Sequence, residues 1–290
     1  MNNKEIKEFF NSIADKRERW IKKSNYFHYE DLLMLKEIIP ENSNVLEVGC
    51  GNGQLIGRLN VQGVGIDLSE KLINKAKESF SHLRFYACDI NESAKQLKNE
   101  KKFDYIIITD TIGYFQDVQK TLESIHSHCN EETRIIISYF SPFWQPLLSL
   151  ASLFKLKMPD LNPPLFGLSD LKNFLEISNF QTIKVEKKII LPFFFLGLGR
   201  LFNRFIANLP IINHLCLRQY LISRSLKVVK KSNFKSASVI VPCRNEFGNI
   251  KNCIERIPKF CENIEVIFVE GNSHDNTWEE IQRVINNKKL

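Results

Sequence analysis

The stretch VLEVGCGNG, Val45 to Gly53, decides the fold. Its apolar start reads as a buried strand, and glycines at 49, 51 and 53 form the turn that follows. Closely spaced glycines after a strand let the backbone approach a ligand, because no Cβ fills the space. A side chain at Gly49 or Gly51 is expected to intrude where a nucleoside would lie. Upstream, Ile6, Phe9, Phe10 and Ile13 share a helical face within residues 4–20, and a second helical pattern runs from Tyr29 to Ile39, stopped by Pro40.

Downstream, strand and helix signals alternate. QLIGRL reads as the start of a helix, GVGID as a strand, and SEKLINKAKESF as a helix with Ser69 as its N-cap. LRFYACD is a strand, FDYIIITD a strand buried on both faces, DVQKTLESIHSHC a helix and TRIIISYF another buried strand. That alternation predicts an α/β fold, a Rossmann-like doubly wound sheet whose ligand lies at the carboxyl ends of the strands. Three acids fall at those ends: Glu47 just before the glycines, Asp67 after the second strand and Asp89 after the third. A carboxylate at the second position can accept ribose hydroxyls, and one at the third an adenine amino group. Dinucleotide sites usually carry G-x-G-x-x-G. Here the third glycine comes one residue early, and Glu47 would repel a nearby phosphate, so a cationic nucleoside suits the turn better than a pyrophosphate. Cys50 reads as a small filler between glycines rather than a nucleophile.

These residues resemble the class I S-adenosylmethionine-dependent methyltransferases. VLEVGCGNG is similar to that family's first motif, GVGIDLS to its ribose-binding acid, YACDI to its adenine-contacting segment and FDYIIITDTIGYF to its fourth motif. The resemblance covers most of residues 1–229. It implies a seven-stranded sheet with an antiparallel last strand, which QYLISRSLKVV would supply. It also implies S-adenosylmethionine as cofactor, held along Glu47, Gly49, Cys50, Gly51, Gly53, Asp67, Leu68, Asp89, Ile90 and Asp110. Glu47 would lie near the methionine amino group, and Asp110 would face the methyl donor. Methyl transfer asks mainly for alignment, since the sulfonium is already activated. A base is needed only for an acceptor that loses a proton; Asp110, Tyr114 and His28 are the candidates. His28 equally reads as an ordinary partly buried histidine, and Tyr26, Phe27 and Tyr29 as cofactor caps or as anchors of the N-terminal helices. His126 and His128 are expected on the surface.

After Ser141 the pattern loosens into a Pro- and aromatic-rich insertion, residues 141–167, then helix SDLKNFLEISNF and strand QTIKVEKKI. Residues 189–222 place Phe193, Phe194, Phe195, Phe202 and Phe205 among Arg200, Arg204 and Arg218. Such a segment suits an interfacial helix on anionic lipid, a pocket for a lipid-linked acceptor, or a helical cover packed on the sheet, the last being the first choice. KKSNFKS, residues 230–236, is the expected linker. Beyond it SVIVPCRNE opens a second strand-and-turn unit, continued by helix GNIKNCIERIPKF, strand IEVIFVE and helix TWEEIQRVINN. SVIVPCRNEFGNI and VIFVEGNSHDNT resemble the start of a family-2 glycosyltransferase. That resemblance implies nucleotide-sugar contacts at Pro242, Asn245, Glu246 and Glu270, with Ser273 and Asp275 also matching. It covers only residues 237–290, and the metal-binding Asp-x-Asp and base that such enzymes place further on are missing. The expectation is a methyltransferase fused to a truncated glycosyltransferase piece, with a glycan, lipid-linked sugar or other envelope intermediate as acceptor. A glycosyltransferase with an accessory front domain, and a non-catalytic scaffold, are the alternatives.

Composition sets the outer limits. Hydrophobic content of 43% and charged content of 25% are those of a soluble globular chain. The net charge of +7 reads first as a solvated surface, then as affinity for anionic lipid or a phosphorylated substrate, and last for nucleic acid. Seven cysteines without a CxxC pair argue against a disulfide framework or zinc site, hence for the cytoplasm or the inner face of the cell membrane. The N-terminus has no apolar signal core, and IILPFFFLGLG, 189–199, is too short to span a bilayer.

Overall fold

The computed structural model describes residues 2–194, 197–207, 209–210, 212–228 and 236–287. The chain divides into two compact units, Met1–Val229 and Lys230–Leu290.

The first unit is built on the strands β1 (Asn44–Val48), β2 (Gln62–Asp67), β3 (Arg84–Ala87), β4 (Phe103–Thr109), β5 (Cys129–Phe140), β6 (Phe180–Lys188) and β7 (Arg218–Ser225). They form one sheet in the order β3-β2-β1-β4-β5-β7-β6. β7 runs antiparallel to both β5 and β6, while β1 to β5 pair in parallel. The order reverses between β1 and β4, so the switch point of the fold opens above those two strands. Ile106, Ile107 and Ile108 of β4 and Ile135, Ile136 and Ile137 of β5 have no exposed surface, as apolar runs covered on both faces require.

Helices α1 (Asn3–Lys23), α2 (Asn25–Ile38), α3 (Glu70–Ser79), α4 (Val118–Ile125), α5 (Gln145–Leu153) and α6 (Leu168–Ile177) complete most of this unit. α1 begins with a capping box: the Asn2 side chain accepts from the Glu5 N–H at 2.8 Å, and the Glu5 carboxylate accepts from the Asn2 N–H at 3.1 Å. Ser69 caps α3 by accepting from the Leu72 N–H. A short helix α7 (Leu198–Leu201) continues as a wide π-type turn through Phe202–Ile206.

Four expectations fail here. QLIGRL forms only one tight turn, Ile56–Arg58, instead of a helix. Gly57 packs so closely on Phe80 that a Cβ would sit 2.4 Å from the ring, and β2 follows almost at once. His126 and His128 are buried, not on the surface. His126 stacks on Phe180 at 4.1 Å and bonds Ser225 and Ser178, and His128 shares a 2.9 Å hydrogen bond with Ser93. Arg218 has no exposed surface, so it is no part of a cationic exterior. Finally, the large side chains of 193–205 do not form a closed cover: Phe193, Phe194, Leu201 and Phe205 are all exposed. Phe195 lies outside the described residues, as do positions 230–235 of the expected linker.

The second unit consists of β8 (Ser236–Cys243), α8 (Ile250–Glu255), β9 (Asn263–Glu270) and α9 (Thr277–Asn286). β8 and β9 pair in parallel, Ser236 against Asn263 through Cys243 against Glu270. Cys243, Ile250, Ile281 and Val284 make its small core.

Candidate functional site

The register of the first three strands brings the acids together. Glu47 pairs with Gly65 on β2, and Asp67 pairs with Ala87 on β3, so Glu47, Asp67 and Asp89 lie along one carboxyl edge. The glycine turn crosses that edge. Gly49, Gly51 and Gly53 have φ values of 77°, 55° and 73°, a region in which other residues are strained. The N–H groups of Gly49 and Cys50 both donate to the Ile66 carbonyl, at 2.8 and 3.0 Å.

The glycines are needed for a reason the sequence did not supply. A Cβ at Gly49 would meet the Thr111 side chain at 2.2 Å, and one at Gly53 would meet Phe85 at 2.9 Å. At Gly51 it would stand 3.0 Å from the Arg17 guanidinium. Neighbouring protein groups, not open space, therefore lie against the turn. α1 crosses over it: Asn11 accepts from the Ser69 hydroxyl at 2.7 Å, and the Asn3 amide donates to Asp89.

Asp67 is fixed from both sides. One oxygen accepts from the Gly51 N–H and the other from the Ser69 N–H, each at 2.8 Å. Burial raises its pKa, and those two donors work against the rise. Glu47 is 3% exposed and accepts from the Ile56 N–H at 3.2 Å. Burial pushes its carboxyl up to about 8, opposed by the Ile56 donor and by Arg17. Asp89 accepts from the Asn91 N–H at 2.8 Å; Ile90 beside it is buried in the core, and Leu68 is half-buried. Cys50 is buried and its thiol pKa is raised by burial, which suits a filler.

Arg17 is the residue that reading the sequence missed. Its Nε is buried without a hydrogen-bond partner, and so is Oδ1 of Asn52 in the glycine turn. Orphaned polar atoms beside a glycine turn and two acids, one buried and one half-buried, are what a bound polar ligand would satisfy. No motif marks Arg17, because only the path of α1 brings it there.

Asp110 ends β4 with a φ of 54° and a side chain 38% exposed. The fully buried Arg218 donates to it and also makes two bonds to Asp31, at 3.0 and 2.9 Å. Tyr220 donates to the same Asp31, and the guanidinium carbon lies 5.4 Å from the Phe27 ring and 5.1 Å from Phe140. This network was not legible either. Burial raises the Asp110 pKa, and the Arg218 guanidinium beside it works against the rise. His28 is pushed down to about 4 by burial, and Tyr114, half-buried against Phe10 at 5.3 Å, has its pKa raised by burial. Phe27 stacks on Phe140 at 5.5 Å, and Tyr26 accepts from Asn203, so both anchor α2; Tyr29 is exposed.

In the second unit the turn after β8 closes on the turn after β9. Asn245, with φ 56°, donates its N–H to Ser273 at 2.9 Å and accepts from the His274 N–H at 2.8 Å. Glu270 accepts from the Asn272 and Ser273 N–H groups, and the Ser273 side chain together with these donors lowers its pKa. The Glu246 N–H donates to Thr277 at 2.7 Å, while Pro242 is exposed on β8. Asn245, Glu246 and Glu270 thus share one end of the small sheet.

Comparison with known proteins agrees with both halves. Residues 39–178 match the family described as methyltransferase domain, and residues 238–290 match glycosyl transferase family 2. Among curated proteins, a ubiquinone biosynthesis O-methyltransferase of Rickettsia canadensis is 25% identical over 114 residues, covering 38% of this chain and 45% of that one. A malonyl-[acyl-carrier protein] O-methyltransferase of Bacillus cereus is 24% identical over 140 residues, covering 45% and 51%. The chain spans about half the length of these relatives. Among solved structures, a methyltransferase of Thermotoga maritima described as a possible histamine N-methyltransferase superposes with a TM-score of 0.57 at 15% identity, over 75% of this chain and 98% of that one. Magnesium protoporphyrin IX methyltransferase of Synechocystis, solved with SAH bound, gives 0.53 at 16% identity, over 77% and 100%. The first unit has the fold of the class I S-adenosylmethionine-dependent methyltransferases, and residues 39–178 within it match the methyltransferase-domain family. The second unit is similar to part of a glycosyl transferase family 2 domain.

Proposed function

We propose that the first unit transfers a methyl group from S-adenosylmethionine to a small acceptor. The observation that carries this reading is the pair of acids, buried Glu47 and half-buried Asp67, set around a glycine turn beside the unpartnered Arg17 nitrogen. The cofactor's amino-acid end bears an ammonium and a carboxylate, which match Glu47 and Arg17. Asp67 has lone pairs left for ribose hydroxyls after its two backbone bonds, and Asp89 with Ile90 flanks the adenine side. The cofactor supplies a methyl group already activated on a sulfonium. The protein's part is to hold the reactants in line and keep water out, as α1 does by lying across the turn. Asp110, already paired with Arg218, is suited to face a cationic donor rather than to take a proton.

The acceptor is proposed to carry a hydroxyl on a glycan or lipid-linked sugar. Both curated relatives are named O-methyltransferases, and the fused domain resembles enzymes that handle sugars. The second link is associational. A nucleotide-sugar role for Pro242, Asn245, Glu246 and Glu270 is a weaker second reading, favoured only by their clustering at one sheet end.

Titration calorimetry with S-adenosylmethionine and its demethylated product tests the cofactor reading. Both should bind, and Asp67→Ala should weaken both by about 10-fold or more, the worth of hydrogen bonds to a charged group. Unchanged affinity in Asp67→Ala would show that the ribose lies elsewhere. Uptake of label from the methyl donor, set against uptake from a sugar nucleotide, in extracts of cell-envelope material separates the two transferase readings.

A further inference from the structure

We infer that the first unit docks on an anionic lipid surface through two helical segments that carry exposed apolar faces, α5 and 198–206. In α5 no residue is fully buried, while Leu147, Leu150, Leu153 and the following Phe154 are 51%, 49%, 75% and 64% exposed. In the second segment Leu198, Leu201, Phe202 and Phe205 are 44%, 51%, 36% and 61% exposed, at the spacing of one helical face.

In that second segment Asn203 points inward, while Arg200 and Arg204 are exposed. Asn203 is 7% exposed. Its side-chain oxygen accepts from the Ile190 and Leu191 N–H groups at 2.8 and 3.0 Å. Its nitrogen donates to the Leu191 carbonyl at 2.9 Å and to the Tyr26 hydroxyl at 3.0 Å. A helix on a water-facing surface turns its apolar face inward instead. Scattered exposed leucines mean little, but two ordered apolar stripes on adjoining segments mark an interaction surface. Both segments connect to residues 189–191, Leu148 of α5 through the cluster that holds Ile189 and Asn203 through the Ile190 and Leu191 N–H groups. Trp144 and Leu148 pack on the cluster of Phe27, Ile189 and Leu217, and the Trp144 indole N–H donates to the Leu215 carbonyl at 2.8 Å.

Charge selects the occupant. No Asp or Glu occurs between Glu132 and Asp160, or between Glu186 and Glu246. Lys155, Lys157, Lys187, Lys188, Arg200 and Arg204 fall within those two acid-free spans. The Arg200 guanidinium lies 5.9 Å from the Phe194 ring, and that of Arg204 5.7 Å from Phe205, cations bordering apolar side chains. Two copies of such a surface would face each other cation to cation. A bilayer bearing anionic head groups offers the complement to both features: acyl chains for the stripes and phosphates for their basic fringe. The surface stands on this geometry whether or not the methyl-transfer reading holds, and it would bring the domain to a lipid-linked acceptor.

Flotation of the full chain with vesicles tests the inference. The protein should float with phosphatidylcholine mixed with phosphatidylglycerol and stay behind with phosphatidylcholine alone. Arg200→Gln/Arg204→Gln should lower partitioning about fivefold for each cation removed. Leu201→Glu/Phe205→Glu should abolish it; Leu150→Gln/Leu153→Gln in α5 provides an independent pair should the first fail to fold by circular dichroism. Failure of the parent chain to float with anionic vesicles overturns the inference, as does flotation undiminished by the apolar substitutions. A dimer that Leu201→Glu/Phe205→Glu turns into a monomer, with no vesicle binding, would assign the face to a second copy. S-adenosylmethionine titration of the same samples keeps failure of this surface distinct from failure of the cofactor site.

Discussion

The two strand-and-turn openings of this chain are locally alike and structurally unequal. β1 and β8 each pair in parallel with the next strand, and each runs to a turn with a left-handed residue, Gly49 at φ 77° and Asn245 at φ 56°. β1 has neighbours on both sides, β2 and β4, and its Val45 and Leu46 have no exposed surface. Among the described residues β8 has one neighbour, and its Ile240 is 64% exposed. The same local code thus yields a buried central strand in one unit and a half-covered strand in the other. Strand and turn are written locally; burial depends on how many further elements the unit recruits.

That contrast can be broken most severely at Arg218. Arg218→Met leaves Asp31 buried without its partner and should cost the first unit about 3–5 kcal/mol, measured by urea unfolding. Loss of less than about 1 kcal/mol would show that the ion network contributes little to the unit. Ile107→Ala, in the middle of the seven-stranded sheet, should cost about 2–5 kcal/mol by the same measurement.

Glu47 sharpens the comparison at the site itself. Glu47→Gln keeps an acceptor for the Ile56 N–H but cannot ionise, so S-adenosylmethionine affinity by calorimetry should fall about 10- to 100-fold. The substitution should act on stability in the opposite sense. The folded-state pKa near 8 lies above the ordinary 4.5, so the folded chain holds this proton where the unfolded chain has released it. The corresponding stability is complete below about 4.5 and is lost as pH rises through about 8. Thermal unfolding of Glu47→Gln should therefore fall less than that of the parent across that window. The smallest effect belongs to the second unit: Ile240→Ala should change stability by under about 0.5 kcal/mol, as at other exposed positions. A much larger loss would mean that the open face of β8 is covered in solution.

Much of the first unit was legible because its signals are local. Apolar runs gave β4 and β5, Ser69 gave the cap of α3, and three glycines gave the turn. The acids Glu47, Asp67 and Asp89 were placed by their positions at or near the carboxyl ends of strands, which parallel register then carries to one edge. What failed is non-local. His126 and His128 look polar and exposed in sequence, yet partners 52 and 35 residues away, Ser178 and Ser93, satisfy them inside. Arg218 looked like one cation among several, until Asp31, 187 residues distant in sequence, supplied its counter-charge.

The sequence by itself determined the alternation of strands and helices, the glycine turn and the order of acids along the sheet edge, because each depends on a few adjacent residues and a fixed periodicity. Tertiary structure alone decided that Arg17 lies over Gly51, that Arg218 is buried between two carboxylates, and that Leu201 and Phe205 face outward while Asn203 faces in. Those outcomes turn on which distant group offers a charge, a hydrogen bond or an apolar wall, and only the folded chain brings such groups within range.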